Sequence, residues 1–384
     1  MDASSMEAGH GERIVVAMSG GVDSSVSAYL LKQQGYDVIG MTMKIWPSSG
    51  QEAQGQKSCC GTDAVEDARR VADIVGIPYY VMDMVKEFNE AVIDDFVHEY
   101  RAGRTPNPCI RCNVDLKFGN LLERAQKVGA QKVATGHYAR VQLDESSGRY
   151  NLLRSRHIEK DQSYTLYGLT QRQLSRALFP LGDLTKENVR KLARELNLPT
   201  ADKPESQDIC FVSTGNYRDF LAGHDAQPNK PGHFVDTRGE ILGVHDGITQ
   251  YTVGQRRGLG IQRGKPTYVV KIDPESDTIV LGDIEDLMTI RFIVDPVNWV
   301  GIETPTSPIR CQVKIRYGGP VQPGWVNMEG GWALVELDQP HRAVTPGQSA
   351  VFYDGEFRVL GGGLITPGIA ECNEPGQKVQ ERQI

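Results

Sequence analysis

A short loop rich in glycine and serine follows the first apolar run of the chain. Residues 14–18 read Ile-Val-Val-Ala-Met, which is typical of a buried strand, and residues 19–25 read Ser-Gly-Gly-Val-Asp-Ser-Ser. Glycines let a backbone approach an anion closely, serine hydroxyls can donate to it, and the first amides of a following helix favour negative charge. The segment therefore predicts a strand, a phosphate-binding loop and a helix, with a nucleotide as the ligand.

The loop lacks one part of a Walker A motif. A Walker A loop has a lysine followed by Ser or Thr after its last glycine, and this lysine binds the β- and γ-phosphates. The present loop has no lysine at that position. Transfer of the γ-phosphoryl group is therefore the less favoured chemistry. The pattern resembles the pyrophosphate loop (PP-loop) of N-type ATP pyrophosphatases, which implies cleavage of ATP to AMP and pyrophosphate.

The first third of the chain alternates between strand-like and helical patterns, which predicts a parallel sheet covered by helices. The first helix should end at Gly35, and the second should run from Asp63 to Val75. Ligands bind at the carboxyl ends of such strands, so Met43, Gly136 and the serine loop should converge. The predicted strands are 13–18, 36–43, 78–83 and 131–135.

The remaining segments predict two smaller domains. Residues 139–154 alternate as a hairpin that leaves the sheet, and helical patterns follow at 162–178 and 185–197. The chain is thus predicted to be α/β, with a parallel-sheet PP-loop ATP pyrophosphatase domain, then a small mixed α/β domain, then a C-terminal β-barrel or sandwich. The boundaries expected for these domains are 13–216, 217–285 and 286–371.

Composition narrows the class of protein. The chain has 384 residues, a net charge of −7 and seven cysteines, and no apolar run approaches the length of a membrane span. Residues 1–12 look like a loose polar tail and not a signal peptide, and the last dozen residues look disordered. Cysteines without a secretory signal indicate a reducing compartment, so the cytoplasm is the expected location.

Residues 101–160 are locally basic, which favours a nucleic-acid-binding face, or merely a solvated basic surface.

Two polar loops carry the cysteines that look reactive. Residues 104–113 read Arg-Thr-Pro-Asn-Pro-Cys-Ile-Arg-Cys-Asn, and the two prolines predict a rigid exposed loop in which nearby arginines favour a thiolate. Cys210 lies in a second polar loop far along the chain. The other cysteines, which lack such surroundings, are predicted to be packing or bystander thiols: Cys59, Cys60, Cys311 and Cys372.

Several motifs in order resemble one family, the bacterial tRNA-specific 2-thiouridylases. The resemblance runs from about residue 13 to 366. It implies replacement of the 2-oxygen of the wobble uridine of tRNA by sulfur, with ATP, Mg²⁺ and a protein that carries the sulfur as a persulfide. The motifs that carry it are the serine loop, the Cys109 and Cys112 loop, Gly136-His137-Tyr138, Lys160-Asp161-Gln162-Ser163, Ser206-Gln207-Asp208-Ile209-Cys210-Phe211, residues 252–258 and Arg316-Tyr317.

The resemblance also implies roles for individual residues. Cys210 would receive sulfur as a persulfide, Cys112 would be its partner nucleophile, and the two would end in a disulfide. Asp23 would reach Mg²⁺ or the loop backbone. Nucleotide contacts are implied at Ala17, Met18, Ser19, Gly20, Gly21, Val22, Asp23, Ser24, Met43 and Gly136. Contacts with the target base are implied at Asn107, Pro108 and Cys109. Further tRNA contacts are implied at His137, Lys160, Asp161, Gln162, Arg316, Tyr317 and Gln348.

One departure from the family leaves an alternative open. Many relatives carry Asp where this chain has Cys109, and there the carboxylate is a candidate acid or base. Cys109, Cys112 and Cys210 would alternatively supply three soft ligands for a [4Fe–4S] cluster. Zinc is less favoured because a structural site wants a fourth protein ligand. The rival functions are another PP-loop adenylating ligase and an RNA-binding iron–sulfur protein.

Overall fold

A computed structural model describes residues 11–46, 62–204, 209–212, 216–224, 228–261, 263–355 and 357–367. The helices are α1 Val22–Gln33, α2 Thr62–Val75, α3 Val85–Phe88, α4 Asp94–Arg101, α5 Pro108–Arg111, α6 Leu121–Lys127, α7 Gln171–Leu174, α8 Lys186–Glu195 and α9 Tyr217–His224. Two further segments, Asn89–Ile93 and Cys112–Asn120, are π-helical. Short 3₁₀ turns occupy Ile158–Lys160, Ser163–Thr165, Ile248–Gln250 and Glu285–Leu287.

A five-stranded parallel sheet forms the first part of the molecule, in the order β3-β2-β1-β4-β7. Its strands are β1 Arg13–Ala17, β2 Asp37–Lys44, β3 Tyr79–Asp83, β4 Lys132–Ala134 and β7 Ala177–Leu178. The apolar runs of β1 and β2 are almost fully buried, with a hydrophobic cluster on each face of the sheet. The predicted α/β class and the four predicted strands are therefore confirmed, as are the helices at 63–75 and 185–197.

The helix predicted over 162–178 is wrong. The structure has a 3₁₀ turn, the four-residue α7 and the short strand β7 there. Distant side chains take the carbonyls that a helix would have used. Asn113 Nδ2 donates to Thr165 O at 2.9 Å, and Asn298 Nδ2 donates to Tyr167 O at 2.7 Å and Leu169 O at 3.1 Å. These partners are not visible in the local pattern, so periodicity alone overestimated the helix.

A four-stranded mixed sheet follows, in the order β10-β11-β8-β9. Strands β11 and β8 are parallel, while the two outer pairs are antiparallel. Phe234, Val269 and Ile279 are central to its own hydrophobic cluster. The strands are β8 Gly232–Asp236, β9 Ile241–His245, β10 Tyr268–Asp273 and β11 Thr278–Gly282.

The C-terminal part is a closed six-stranded β-barrel. Its order is β12-β15-β14-β13-β16-β17, and pairing of β12 with β17 closes it. The strands are β12 Met288–Asn298, β13 Ile309–Lys314, β14 Gln322–Glu329, β15 Trp332–Arg342, β16 Ser349–Asp354 and β17 Arg358–Ile365. Of the barrel and the sandwich that the sequence left open, the barrel is confirmed.

The hairpin of β5 Ala139–Asp144 and β6 Arg149–Arg154 leaves the parallel sheet, as predicted. It then joins the barrel, because Leu153 pairs with Arg358 of β17. The first domain is thus tied to the last by backbone pairing. Among the described residues, no helix combines the length and apolarity needed to cross a membrane.

Candidate nucleotide and thiol site

The serine loop joins β1 to α1 as predicted. Ser19 N donates to Ser24 Oγ at 3.2 Å, and the hydroxyls of Ser24 and Ser25 donate to Gly21 O at 3.1 and 2.8 Å. Gly20 has a φ of +65°, and a Cβ there would lie 2.7 Å from Ala64 Cα, so only glycine fits against α2. The loop therefore curls at the amino end of α1, where helix amides attract an anion.

Asp23, in the first turn of α1, is held by Lys186, which the sequence analysis did not identify, and by Tyr138, which it named only as part of a motif. Lys186 Nζ donates to both carboxylate oxygens at 2.7 Å, and the Tyr138 hydroxyl donates to Oδ1 at 2.8 Å. Lys186 is only 7% exposed. Since Lys186 lies at the start of α8, no local motif links it to the loop. The one local signal is that Lys186 directly follows Thr185, the N-cap of α8, so it is the first residue of a helix.

A second lysine contacts the backbone of the loop. Lys203 Nζ donates to Gly20 O at 3.0 Å and to Asp67 Oδ2 of α2 at 2.7 Å. Thr200 Oγ1 donates to Ser25 Oγ at 3.1 Å. Two ammonium groups therefore flank a loop that has no lysine of its own, and both come from beyond residue 180.

Two expected nucleotide contacts lie at the same edge of the sheet. A Cβ on Gly136 would lie 2.8 Å from Ser24 N and 2.9 Å from the Asp23 carbonyl carbon, so Gly136 lies directly against the start of α1. Met43 is buried near the end of β2, two residues beyond Met41, which pairs with Ala17. Contact of these residues with a nucleotide stays a prediction.

The first cysteine loop begins a long irregular helix. Asn107 caps α5, since its Oδ1 accepts from Cys109 N at 3.2 Å, and Pro108 occupies the first turn, where its missing N–H costs nothing. Cys109 is exposed, while Cys112 is partly buried at the start of the π-helical segment. The prolines predicted a rigid loop without continuous helix, but the structure shows that they start a helix here.

The barrel contacts the segment that leads into this loop. Thr105 N donates to Pro346 O at 2.8 Å, and Gln348 Nε2 donates to Thr105 O at 2.8 Å. A Cβ on Gly347 would lie 2.7 Å from Thr105 N. Gln348, implied as a tRNA contact, therefore holds the cysteine loop against the barrel.

The second cysteine loop packs on the same core as the first. Cys112 and Cys210 both lie against the hydrophobic cluster on one face of the parallel sheet. Phe211 fixes that loop through edge-on contacts with Phe88 and Phe96, at ring centroid distances of 5.7 and 5.2 Å. No disulfide joins the four cysteines that the structure describes. Ser206, Gln207 and Asp208 lie outside the described residues.

Cys311 differs from these thiols. It is buried in the barrel core, and burial raises the pKa of its thiol to about 12. It is therefore a packing residue, as the sequence analysis expected. Cys59, Cys60 and Cys372 lie outside the described residues.

His137 is buried between Thr135 and Lys117. Its Nδ1 lies 2.6 Å from Thr135 Oγ1, and its Nε2 lies 3.5 Å from Lys117 Nζ, which also donates to Asn113 Oδ1 at 2.8 Å. Burial holds the pKa of His137 well below its ordinary value, and the Lys117 charge lowers it further. His137 is therefore neutral at pH 7, and its expected contact with tRNA stays a prediction.

Asp161 is also internal. Its carboxylate accepts from Arg154 Nε at 3.0 Å, from the backbone N–H groups of Ser155 and Ser163 at 3.0 and 3.2 Å, and from Ser163 Oγ at 2.9 Å. The residue is buried. In this structure the Asp161 carboxylate holds together the turn between Arg154 and Ser163. A direct contact of Asp161 with tRNA stays a prediction.

The remaining residues that are expected to contact tRNA differ in their exposure and in their hydrogen bonds. Gln162 Oε1 accepts from Tyr138 N at 2.9 Å, while Lys160 ends a partly exposed 3₁₀ turn. Arg316 Nη2 donates to Thr345 Oγ1 at 3.0 Å. Tyr317 is 43% exposed, and its ring centroid lies 6.0 Å from that of Tyr164 and 5.9 Å from Lys314 Nζ.

Much of the basic charge in 101–160 is balanced by acidic groups from other segments. Arg111 pairs with Asp95 at 3.1 Å, and Arg104 pairs with Glu99. Further pairs are Arg124 with Glu87, Lys132 with Glu12 and Arg156 with Asp183. The local excess of basic residues therefore overstates the positive potential of this region.

Among the described residues, the side chains that could ligate a metal are dispersed. Within the described part of the chain, no three His, Cys, Asp or Glu side chains lie close enough to hold an ion. Cys109, Cys112 and Cys210 are among the described residues, so the three thiols do not form a cluster site in this conformation.

A parallel sheet with a serine loop at the amino end of its first helix, and flanking lysines from later elements, defines an ATP-binding α/β protein of the PP-loop class. Three family models agree with the order of the parts. They are described as the tRNA methyl transferase HUP domain, the tRNA methyl transferase PRC-barrel domain and the aminomethyltransferase beta-barrel domain. They match residues 12–214, 218–283 and 289–365.

Curated relatives match nearly the whole chain. The tRNA-specific 2-thiouridylase MnmA of Clostridioides difficile (strain 630) is 49% identical over 92% of this chain and 98% of that protein. MnmA 1 of Thermoanaerobacter sp. (strain X514) is 52% identical over 92% and 97%. A solved 4-thiouridine synthetase–RNA complex with bound ATP is 15% identical, with a TM-score of 0.33 over 55% of this chain and 50% of that one, which is too distant to add to the assignment. The chain belongs to the tRNA-specific 2-thiouridylase family.

Proposed function

We propose that this protein is a tRNA-uridine 2-sulfurtransferase, which replaces the 2-oxygen of the wobble uridine with sulfur and converts ATP to AMP and pyrophosphate. The observation that carries the proposal is the relation to curated 2-thiouridylases at about half identity over nearly the full length of both chains. The site supports it, because a phosphate-binding loop and two loop cysteines belong to one domain.

Adenylation solves the chemical difficulty of the reaction. The C2 oxygen of uracil leaves poorly, so the carbonyl is a weak electrophile. Attack of that oxygen on the α-phosphorus of ATP breaks the bond to the bridging oxygen and releases pyrophosphate. Sulfur then adds at C2, the C–O bond breaks, and AMP carries the oxygen away. The serine loop and the amides of α1 would bind the phosphates, with Lys186 and Lys203 beside them.

The two cysteines would handle the sulfur. A persulfide-carrying donor protein would place a sulfane sulfur on Cys210. Cys112 thiolate would attack Cys210 Sγ, so that the persulfide bond breaks, hydrosulfide leaves to attack C2, and a Cys112–Cys210 disulfide remains. Alternatively the persulfide itself attacks C2, and Cys112 then displaces the sulfur from Cys210. An external thiol reductant restores both groups in either case.

Mg²⁺ would arrive with the nucleotide. Asp23, the carboxylate of the loop, is held by Lys186 and Tyr138, so the residues present do not form a dedicated magnesium site. Magnesium commonly binds through substrate phosphates and water. The cytoplasm remains the expected location.

Incubation with tRNA, ATP and a sulfide source, followed by nucleoside mass spectrometry, tests the proposal. We expect 2-thiouridine together with AMP and pyrophosphate in amounts that depend on tRNA. Cys112→Ser and Cys210→Ser should abolish product when a persulfide donor is used, while Cys311→Ser should remain active as the matched control. ADP and orthophosphate, or AMP formed with small acids but not with tRNA, would contradict the proposal.

The cluster alternative needs its own experiment. Iron and labile sulfide are measured after anaerobic purification, and Cys109→Asp is assayed beside the wild type. An active Cys109→Asp variant without iron would exclude an obligatory three-cysteine cluster. Stoichiometric iron that disappears together with activity in the variant would establish the cluster instead.

A further inference from the structure

The loop of residues 252–258 belongs to the domain of the four-stranded mixed sheet, and the proposed reaction gives it no role. It reads Thr-Val-Gly-Gln-Arg-Arg-Gly. Gln255 Oε1 accepts from Thr252 N at 3.1 Å, and Gln255 Nε2 donates to Arg257 O at 3.0 Å. One side chain thus braces the loop from within, while Arg256 and Arg257 are exposed on it.

This loop packs against the barrel beside Arg316. A Cβ on Gly254 would lie 2.9 Å from Ala343 Cβ and 3.9 Å from Arg316 Nη2. Arg316 Nη2 donates in turn to Ala343 O at 3.3 Å. Residues 343–348 form the same barrel turn that bonds Thr105, at the start of the first cysteine loop. The exposed arginines are therefore carried by a loop that contacts the support of the thiol site.

Four arginines surround this contact, and we call them the arginine surface: Arg256, Arg257, Arg316 and Arg342. Among the residues that the structure describes, no carboxylate pairs with any of the four. Arg342 is exposed, with its guanidinium 4.8 Å from the ring centroid of Tyr268. Partial desolvation lowers the pKa of the Arg316 guanidinium, and the charge of Arg342 lowers it further, so these two cations interact. Cations gathered without counter-charges attract an anion.

Other exposed arginines of the same two domains are balanced. Arg238, beside the mixed sheet, pairs with Asp236 at 3.3 Å and with Glu240 at 3.4 Å. Arg310 of the barrel pairs with Asp338. The arginine surface therefore differs from its surroundings in lacking acidic partners, and not merely in containing arginine.

The chemistry of the surface favours a phosphodiester backbone as its ligand. Guanidinium groups bind phosphate oxygens through paired, charge-assisted hydrogen bonds. Tyr317, next to Arg316, adds a partly exposed ring, and stacking of bases on such rings is common in proteins that bind single-stranded RNA. An acidic protein would use the arginines but has no base to stack on the ring. RNA is therefore favoured over an acidic protein partner.

We propose that Arg256, Arg257 and Arg342 bind phosphate groups of the tRNA backbone outside the target nucleotide, so that the mixed-sheet domain takes part in holding the substrate. The inference rests on the proposed function, which makes tRNA the substrate. It concerns residues to which the family resemblance gave no individual role. Phosphate contacts position a nucleic acid without reading its sequence, so this surface would hold different substrate tRNAs alike.

Binding of unmodified tRNA at several KCl concentrations tests the proposal. The variants are the double variant Arg256→Gln/Arg257→Gln and the single variant Arg342→Gln. Each lost phosphate contact reduces the slope of log affinity against log salt by about 0.7–0.9. We expect the double variant to reduce the slope by about 1.5 and to lower affinity about tenfold or more at about 0.1 M KCl. Arg342→Gln should reduce the slope by about 0.8.

Charge-retaining and paired-arginine variants are the controls. Arg256→Lys/Arg257→Lys should keep most of the slope, since a lysine still neutralises a phosphate. Arg238→Gln and Arg310→Gln should keep the affinity and the slope of the wild type, because a carboxylate already balances each charge. Urea denaturation checks that every variant is folded.

Two results would overturn the proposal. One is a folded double variant with the tRNA affinity and the salt slope of the wild type. The other is a loss of affinity of the same size in Arg238→Gln and Arg310→Gln. If tRNA affinity is unchanged but sulfur transfer from the donor protein slows, the surface binds an acidic protein and not RNA.

The inference and the proposed function fail in different ways, because the readout is binding alone. A double variant that binds tRNA like the wild type and still forms 2-thiouridine contradicts only the arginine surface. A wild-type protein that binds tRNA through these arginines but forms no 2-thiouridine contradicts only the proposed reaction.

Discussion

Lys186 Nζ lies 2.7 Å from both carboxylate oxygens of Asp23, which joins the start of α8 to the first turn of α1. The lysine is almost fully buried, while the carboxylate is about one-third exposed. A buried cation that loses its partner is costly, so this pair fixes the nucleotide loop relative to the later helices. The loop shape is thus supported by a residue more than 160 positions away.

Lys186→Met should destabilise the protein and weaken binding of ATP. Removing one partner of a buried ion pair costs about 3 kcal/mol, reduced here by the exposure of Asp23. The free energy of unfolding is measured by urea denaturation, and ATP affinity by calorimetry. The exposed control Lys191→Met should change stability by less than about 0.5 kcal/mol. If Lys186→Met has the stability and the ATP affinity of the wild type, the Lys186–Asp23 pair does not support the nucleotide loop.

Asp161→Asn should act on folding and not specifically on tRNA. The change removes the carboxylate charge that pairs with the buried Arg154 guanidinium, so we expect a loss of about 3 kcal/mol in the free energy of unfolding. Asp183→Asn, at an exposed ion pair with Arg156, is the control and should be nearly neutral. If Asp161→Asn is as stable as the wild type but loses tRNA affinity, the direct contact implied by the family resemblance is correct.

Tyr317→Ala should weaken binding of tRNA without affecting stability. An exposed aromatic ring that stacks on a base contributes about 1–3 kcal/mol. Trp325→Ala is the matched control, because Trp325 is a similarly exposed aromatic residue of the same barrel, at 47% exposure. Filter binding with unmodified tRNA measures both. Equal losses for the two variants would show that Tyr317 has no special part in recognition.

His137 should make the protein less stable in mild acid. Burial lowers the pKa of His137 in the folded state, so below about pH 6.5 the unfolded chain binds the proton that the folded one refuses. Stability therefore falls as pH decreases from about 6.5 toward the lowered folded pKa. Urea denaturation at about pH 7 and about pH 5.5 measures the difference.

The control for this pH effect is a comparison of two histidine variants. His137→Asn should show a smaller loss between the two pH values than the wild type, although it is less stable at both. His98→Asn, at an exposed position of α4, should keep the wild-type pH dependence. Identical pH dependence in His137→Asn and the wild type would mean that the imidazole is not buried in the neutral form.

The local sequence determined the elements that depend on neighbouring residues. The apolar run before Ser19, the glycines and serines of the loop, and the helical spacing after it defined β1, the loop and α1, because strand and helix periods are properties of short segments. The cysteine loops were found in the same way, from prolines, polar neighbours and thiols. Alternation also predicted the hairpin of β5 and β6, but not the strand of the barrel with which it pairs.

The tertiary structure decided which distant charges meet. Lys186 and Lys203 reach the nucleotide loop because the strand order brings α8 and its following segment beside α1 and α2, and no periodicity in the sequence encodes that meeting. The burial of His137 and Asp161 could not be predicted from the sequence either. A polar residue is expected to be exposed unless the groups that form hydrogen bonds with it in the interior are known. Long-range packing, and not local propensity, assigned these residues their places.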